Sequence, residues 1–234
     1  MIFFIDIETA SWHKSIETLD ETSKEIFFRR YASSEIKFEG IDDYMSKLSR
    51  HYDAKAPLIP EFGRIVCITI GYIHKNTLKL KSCFGGSEHK ILSEFNDIIS
   101  GVKDGNEIVW CGHCIKDFDI PYICKRMVIN KLPIPNCLNF SGKKPWEINA
   151  IDTADLWKFG SYSKTALETI CHVLGIESPK TEMDGSMVSE AFFEKRYKDI
   201  AVYCEGDVVA TARVAIRLKP EIGEFAGITS QIER

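Results

Sequence analysis

Asp6-Ile7-Glu8 is the first place where side chains are spaced for chemistry. It closes an apolar run, Met1 to Ile7 (MIFFIDI), that reads as a strand, and residues i and i+2 of a strand share a face. Both carboxylates therefore point at one spot. Anions held that close repel unless a cation lies between them, so the chemistry the pair suggests is cation binding. Two further segments offer acids in compatible places. In Gly112-His113-Cys114-Ile115-Lys116-Asp117-Phe118-Asp119-Ile120-Pro121-Tyr122, Asp119 follows a strand and opens a helix. In Tyr203-Cys204-Glu205-Gly206-Asp207, a phenol and a carboxylate stand at i and i+4, one turn apart on a helical face.

A rival signal overlaps the second segment. Trp110-Cys111-Gly112-His113-Cys114 matches the active-site string of protein disulfide isomerases, and a CxxC at a helix N-terminus lowers a thiol pKa. This makes a thiol-disulfide oxidoreductase the alternative enzyme. Four candidate strands precede the motif, whereas the thioredoxin fold places it after one or two.

The elements that must position these groups follow from periodicity. Gly63 to Ile73 and Thr77 to Phe84 are strand-like, joined by a hairpin at His74, Lys75 and Asn76. Glu88 to Ile99 has a helical stripe of Ile91, Leu92, Phe95, Ile98 and Ile99, with Ser87 as N-cap. Glu107 to Cys111 is a fourth strand, Asp119 to Ile129 a helix with Pro121 in its first turn, and Ile148 to Thr153 a fifth strand. Helices over Thr165 to Leu174 and Lys195 to Leu218 complete an α/β domain with a mixed five-stranded sheet flanked by helices. Residues 11 to 60 differ in texture. They are polar and partly helical, around Thr22 to Tyr31 and Asp42 to Arg50, and read as an insertion within a single domain spanning 1 to 234.

Composition sets the outer limits. The chain has 234 residues, 34 acidic against 30 basic, for a formal net charge of −4. That balance argues against nucleic-acid binding through overall positive charge and leaves room for a local basic groove. No apolar run approaches the roughly 20 residues that span a bilayer, and no secretory pattern opens the chain. A cytoplasmic protein without membrane association is expected, its eight cysteines reduced and mostly buried.

The ordered stretches FFIDIET (3 to 9), EFGRIVCITIGY (61 to 72), GHCIKDFDIPYICKRM (112 to 127), LGIESPKTEMDGS (174 to 186) and YCEGDVVATARV (203 to 214) resemble the DEDD superfamily of 3′→5′ exonucleases. More narrowly, they look like predicted bacterial exonucleases related to the proofreading domain of family-B DNA polymerases. The resemblance implies a ribonuclease-H-like fold in which Asp6, Glu8, Asp119 and Asp207 are metal ligands and Tyr203 orients the attacking water. With Val at 202 and Tyr at 203, it is the tyrosine variant of the third motif. Carboxylate oxygens suit Mg²⁺ or Mn²⁺, and two such ions would release nucleoside 5′-monophosphates from a 3′ end. The implied substrate is a nucleic acid, with DNA in a single strand favoured, and any polymerase or repair partner is a separate chain. A catalytically inactive nucleic-acid-binding module is the other alternative, disfavoured because all four acids and Tyr203 are present. Substrate contacts are expected at Thr9, Lys158, Lys164 and Lys180, with Phe159 or Tyr162 as stacking candidates. Relatives usually carry Asn where Cys114 stands.

Overall fold

The N-terminal apolar run forms a ten-residue strand, β1 (Ile2–Ser11), in the computed structural model, which describes residues 1–32, 41–102, 107–177 and 183–232. After it come α1 (Glu21–Phe27) and α2 (Ile41–Lys55), then β2 (Gly63–His74), β3 (Thr77–Phe84) and α3 (Glu88–Ser100). Next are β4 (Val109–Gly112), α4 (Asp119–Ile129), β5 (Ala150–Asp152) and α5 (Thr153–Lys158). The chain closes with α6 (Leu167–Leu174), α7 (Val188–Phe193), α8 (Tyr197–Leu218) and β6 (Gly227–Thr229). Six strands in the order β5-β4-β1-β2-β3-β6 make one mixed sheet with β1 near its centre. β2 runs antiparallel to both β1 and β3, and the remaining pairings are parallel.

Alternation along β1 divides the core into two layers. Phe3, Ile5 and Ile7 pack with Trp110, Phe95, Ile120 and Ile123 on the side covered by α3 and α4. Phe4 packs with Leu78, Leu80, Val208 and Ala212 on the side covered by α8. Ala10 joins Ala201 and Cys204 on that same side. Asp6 and Glu8 thus interrupt an otherwise apolar strand face that lies beneath α8, which is where two uncompensated carboxylates are most costly.

The mixed sheet with flanking helices agrees with expectation, with corrections of detail. A sixth strand is present; β6 is only three residues, too short for alternation to mark it. The hairpin turn is two residues, not three. His74 pairs with Thr77, leaving Lys75 (φ 47) and Asn76 (φ 59) in the left-handed region that a type I′ turn requires. The short helices α5 and α7 were not legible from periodicity, since each has six residues. Between β1 and β2 the chain is less polar inside than its texture suggests. Ile16, Leu19, Phe27, Leu48, Tyr52 and Phe62 form an apolar cluster, with Phe27 edge-on to Tyr52 at 5.1 Å and to Phe62 at 5.2 Å. Among the described residues no helix is long and apolar enough to cross a membrane.

Candidate active site

On the α8 side of β1, Asp6 and Glu8 share their face with a thiol. One ligand atom from each of Asp6, Glu8 and Cys204 lies within 4.8 Å of the other two. The Cys204 thiol donates to Asp6 Oδ2 at 3.4 Å. Cys204 is absent from the sequence-based set, yet a helical wheel carries its signal. It stands four residues after Ile200 and four before Val208, both fully buried, so it must face the sheet.

Asp119 reaches the site from α4. β4 pairs with β1 only as far as Cys111 opposite Phe4, and beyond that the Asp119 side chain takes over, its Oδ1 accepting from the Ile7 N–H at 3.1 Å. The turn that carries it there is tightly built. A Cβ on Gly112 would lie 1.9 Å from Ile115 Cγ2 and 2.9 Å from the Ile5 carbonyl oxygen, so only glycine fits. Asp152, at the end of β5, accepts from the Cys114 N–H at 2.9 Å, the Lys116 N–H at 3.2 Å and the Ala154 N–H at 3.0 Å. It therefore caps α5 and clamps the loop before Asp119 with one carboxylate. His113 ties the same loop to the chain beyond α5, its ring nitrogens bonding Thr153 Oγ1 at 2.9 Å and the Thr165 carbonyl oxygen at 3.0 Å.

Cys114 sits in this turn at φ 63, a left-handed conformation that Asn tolerates better than Cys. Cysteine at this position thus has a backbone cost. Cys114→Asn is expected to stabilise the protein by about 0.5–1 kcal/mol, read as a higher urea midpoint with unchanged slope. A lower midpoint would contradict this.

Tyr203 and Asp207 project from α8 one turn apart, close enough for the hydroxyl to lower the pKa of the carboxyl and for the carboxylate to raise that of the hydroxyl. Electrostatically the four acids form one group. Burial, then Asp207 and Asp119, push the Asp6 carboxyl well above its ordinary range. Burial, then Asp6 and Asp207, do the same to Glu8. Burial raises Asp119 to about 7 against the opposing pull of the Ile7 N–H, and raises Asp207 to about 6 against the Tyr203 hydrogen bond. Burial and the surrounding carboxylates push the Tyr203 hydroxyl up, so it stays protonated and donates. Among the described residues none of the four acids is ion-paired with a lysine or arginine. A donor set of crowded carboxylates lacking a cationic partner fits a divalent cation.

The family model for predicted 3′-5′ exonucleases related to the exonuclease domain of PolB matches residues 58–231. The chain belongs to this family. No curated protein matches it. The family match covers Asp119, Tyr203 and Asp207 and begins after β1. Sheet pairing joins the remaining two acids to the matched region, with Asp6 opposite Thr69 and Glu8 opposite Cys67 of β2. The architecture is that expected of a ribonuclease-H-like exonuclease domain.

The other expected residues divide. Thr9 is turned away from Asp6 and Glu8, buried on the side of Tyr122 and α4. The strand alternation that joins positions 6 and 8 dictates this. Lys158 pairs with Asp155 at 2.9 Å, and Lys164 pairs with Asp117, two residues before Asp119. Lys180 lies outside the described residues. The redox alternative is not favoured. Cys111 is fully buried within β4, and burial pushes its thiol up, opposite to the shift a reactive CxxC needs.

Proposed function

We propose that this exonuclease is of the tyrosine DEDD type and hydrolyses phosphodiester bonds from the 3′ end of a nucleic acid with two divalent cations, Mg²⁺ or Mn²⁺. DNA is the favoured substrate. One observation supports the reading: carboxylate oxygens of Asp6 and Glu8 lie within 4.8 Å of each other on β1, and Asp119 of α4 and Asp207 of α8 are near enough to raise their pKa values, with no lysine or arginine paired to any of the four among the described residues. Asp6, Glu8, Asp119 and Asp207 would hold the cations. When bound, they supply activation of water and charge stabilisation at the leaving 3′-oxygen. Tyr203 positions the nucleophile through its hydroxyl, which stands one helical turn from the Asp207 carboxylate. Asp119 needs no side-chain partner to be held, because the Ile7 N–H orients it. End-labelled single- and double-stranded DNA and RNA, incubated with Mg²⁺, Mn²⁺ or EDTA, test the assignment. Shortening from the 3′ end with either metal, and none in EDTA, is the expected result. Tight DNA binding without hydrolysis in any metal would instead favour the inactive module.

The raised carboxyl pKa values also predict a pH-dependent stability. In the metal-free folded state these acids keep their protons above the unfolded values near 4, so between about pH 4 and 7 the native state binds more protons. Stability in EDTA therefore falls as pH rises through this window. Bound cations remove the repulsion and favour the deprotonated form. Thermal melts should show a melting temperature in EDTA that drops from pH 5 to pH 8, and a Mg²⁺- or Mn²⁺-induced increase that is larger at pH 8. Equal increases at both values would contradict a carboxylate-held cation.

A further inference from the structure

Two aromatic side chains in the loop after α5 lie outside the core, and Phe159 meets only the Trp157 ring, at 6.5 Å, among the ring contacts of the described residues. Phe159 is 84% exposed and Tyr162 fully exposed, in the segment Trp157-Lys158-Phe159-Gly160-Ser161-Tyr162-Ser163-Lys164-Thr165 that follows α5. Phe159 also occupies the left-handed region (φ 44, ψ 37) at the C-terminus of α5, where glycine is the ordinary choice. Neither core packing nor backbone preference selects phenylalanine here, and both disfavour it. Strain of this kind, coupled to exposed apolar surface, points to a binding task.

The segment is fixed at both ends. Trp157 packs on the cluster of Ile170, Cys171, Ala210 and Val214, and the Thr165 carbonyl oxygen holds His113. Lys164 pairs with Asp117, and the Ser161 N–H donates to the Lys158 carbonyl oxygen at 2.8 Å, closing the turn between the two rings. The only charged side chains from 157 to 165 are Lys158 and Lys164, one beside each ring. Two exposed rings flanked by lysines on a rigid turn match the chemistry of single-stranded nucleic acid binding, in which bases stack on the rings; both lysines are ion-paired, to Asp155 and Asp117, so the rings carry the contact.

We infer that Phe159 and Tyr162 form a base-stacking subsite for single-stranded nucleic acid, continuous with the site at Asp119. This rests on the exonuclease reading and adds where the strand lies. Chain geometry bounds the distance. One residue separates Tyr162 from Lys164 and one separates Asp117 from Asp119, and Lys164 pairs with Asp117, so the tip is within roughly 25 Å of the acid. At about 3.4 Å per nucleotide, the stacked spacing, at most some seven nucleotides cover that span. A dodecamer is therefore long enough to engage the acids and the rings together, whereas a dinucleotide offers at most two bases.

The test is fluorescence anisotropy in EDTA, which reads binding without hydrolysis. The probes are a labelled deoxythymidine dodecamer, a deoxythymidine dinucleotide and an abasic dodecamer, titrated with wild-type protein and with Phe159→Ala/Tyr162→Ala. Stacking predicts that the dodecamer-to-dinucleotide affinity ratio collapses at least tenfold in the double variant, and that the abasic strand is bound equally by both proteins. Tyr162→Phe keeps the ring and should restore binding relative to Tyr162→Ala. Phe159→Gly separates strain from function. It should raise the melting temperature by about 2–4 °C through relief of the left-handed backbone, and weaken dodecamer binding. Wild-type-like dodecamer affinity in the double variant, an equal loss on the abasic strand, or no wild-type binding overturns the subsite. So does wild-type self-association in sedimentation that the variant loses while its DNA affinity is unchanged. Hydrolysis with unchanged binding would sink the subsite and leave the exonuclease reading standing; binding loss in a protein that never hydrolyses would do the reverse.

Discussion

Asp207→Ala is expected to abolish nucleic-acid hydrolysis while leaving a protein that melts no lower than wild type. The two effects have opposite signs for one reason. In the loaded enzyme Asp207 is a cation ligand, and losing it removes several kcal/mol of transition-state stabilisation, a fall on the order of 10³-fold or more. In the metal-free protein Asp207 is one of the charges that drive the Asp6 and Glu8 pKa values up, so removing it relieves repulsion. Melts in EDTA at pH 8 should place the variant at or above wild type, and the Mg²⁺-induced increase should shrink. Asp6→Ala should lose activity in the same way. Its stability gain should be smaller, because the Cys204 thiol loses its Oδ2 acceptor. Wild-type-like turnover in either variant would remove the metal-site assignment. A variant that is inactive because it is unfolded would show in circular dichroism and would contradict the stability half of the prediction.

The parts of this site that were legible in the sequence are those set by local periodicity. Alternation joins Asp6 to Glu8, the helical repeat joins Tyr203 to Asp207, and Pro121 marks the first turn of the helix that Asp119 opens. Alternation also turns Thr9 to the opposite face, so its placement was available from the same rule. What local periodicity does not carry is contact across the fold. Cys204 meets Asp6 from 198 residues away. Asp152 organises Cys114 and Lys116 from 38 and 36 residues away, through register between β4 and β5 that no single segment reveals. The cysteines show the same limit. A CxxC string is local, but its reactivity depends on burial, and β4 sinks Cys111 into the core.

Glu88 and Arg126 form a buried long-range element with no local signal, and Arg126→Met is expected to cost about 3–5 kcal/mol. The pair lies 38 residues apart in sequence and is buried, each side chain 3% exposed. Arg126 donates Nε to Glu88 Oε1 at 2.8 Å, a terminal nitrogen to Oε2 at 2.6 Å, and its other terminal nitrogen to the Pro60 carbonyl oxygen at 2.7 Å. Glu88 also accepts from the Ile65 N–H at 2.7 Å and from Asn130 Nδ2 at 2.8 Å. One carboxylate thus joins the starts of β2 and α3 to the end of α4. Methionine fills much of the arginine's volume, so the cost comes chiefly from a buried carboxylate stripped of its charge partner and from the orphaned Pro60 carbonyl. Urea unfolding should show the loss directly, and the melting temperature should fall by roughly 6–20 °C. Glu88→Leu combined with Arg126→Met should cost less than the sum of the two single changes, since the second removes the charge the first leaves unpaired. Strict additivity would show that the ions do not depend on each other. The consequence for the site follows from helix geometry: Arg126 stands seven residues after Asp119, two turns along the same face of α4. The ion pair anchors one end of that face and the Ile7 N–H meets the other, so Arg126→Met should lower hydrolysis well below its melting temperature by loosening Asp119, without touching a cation ligand.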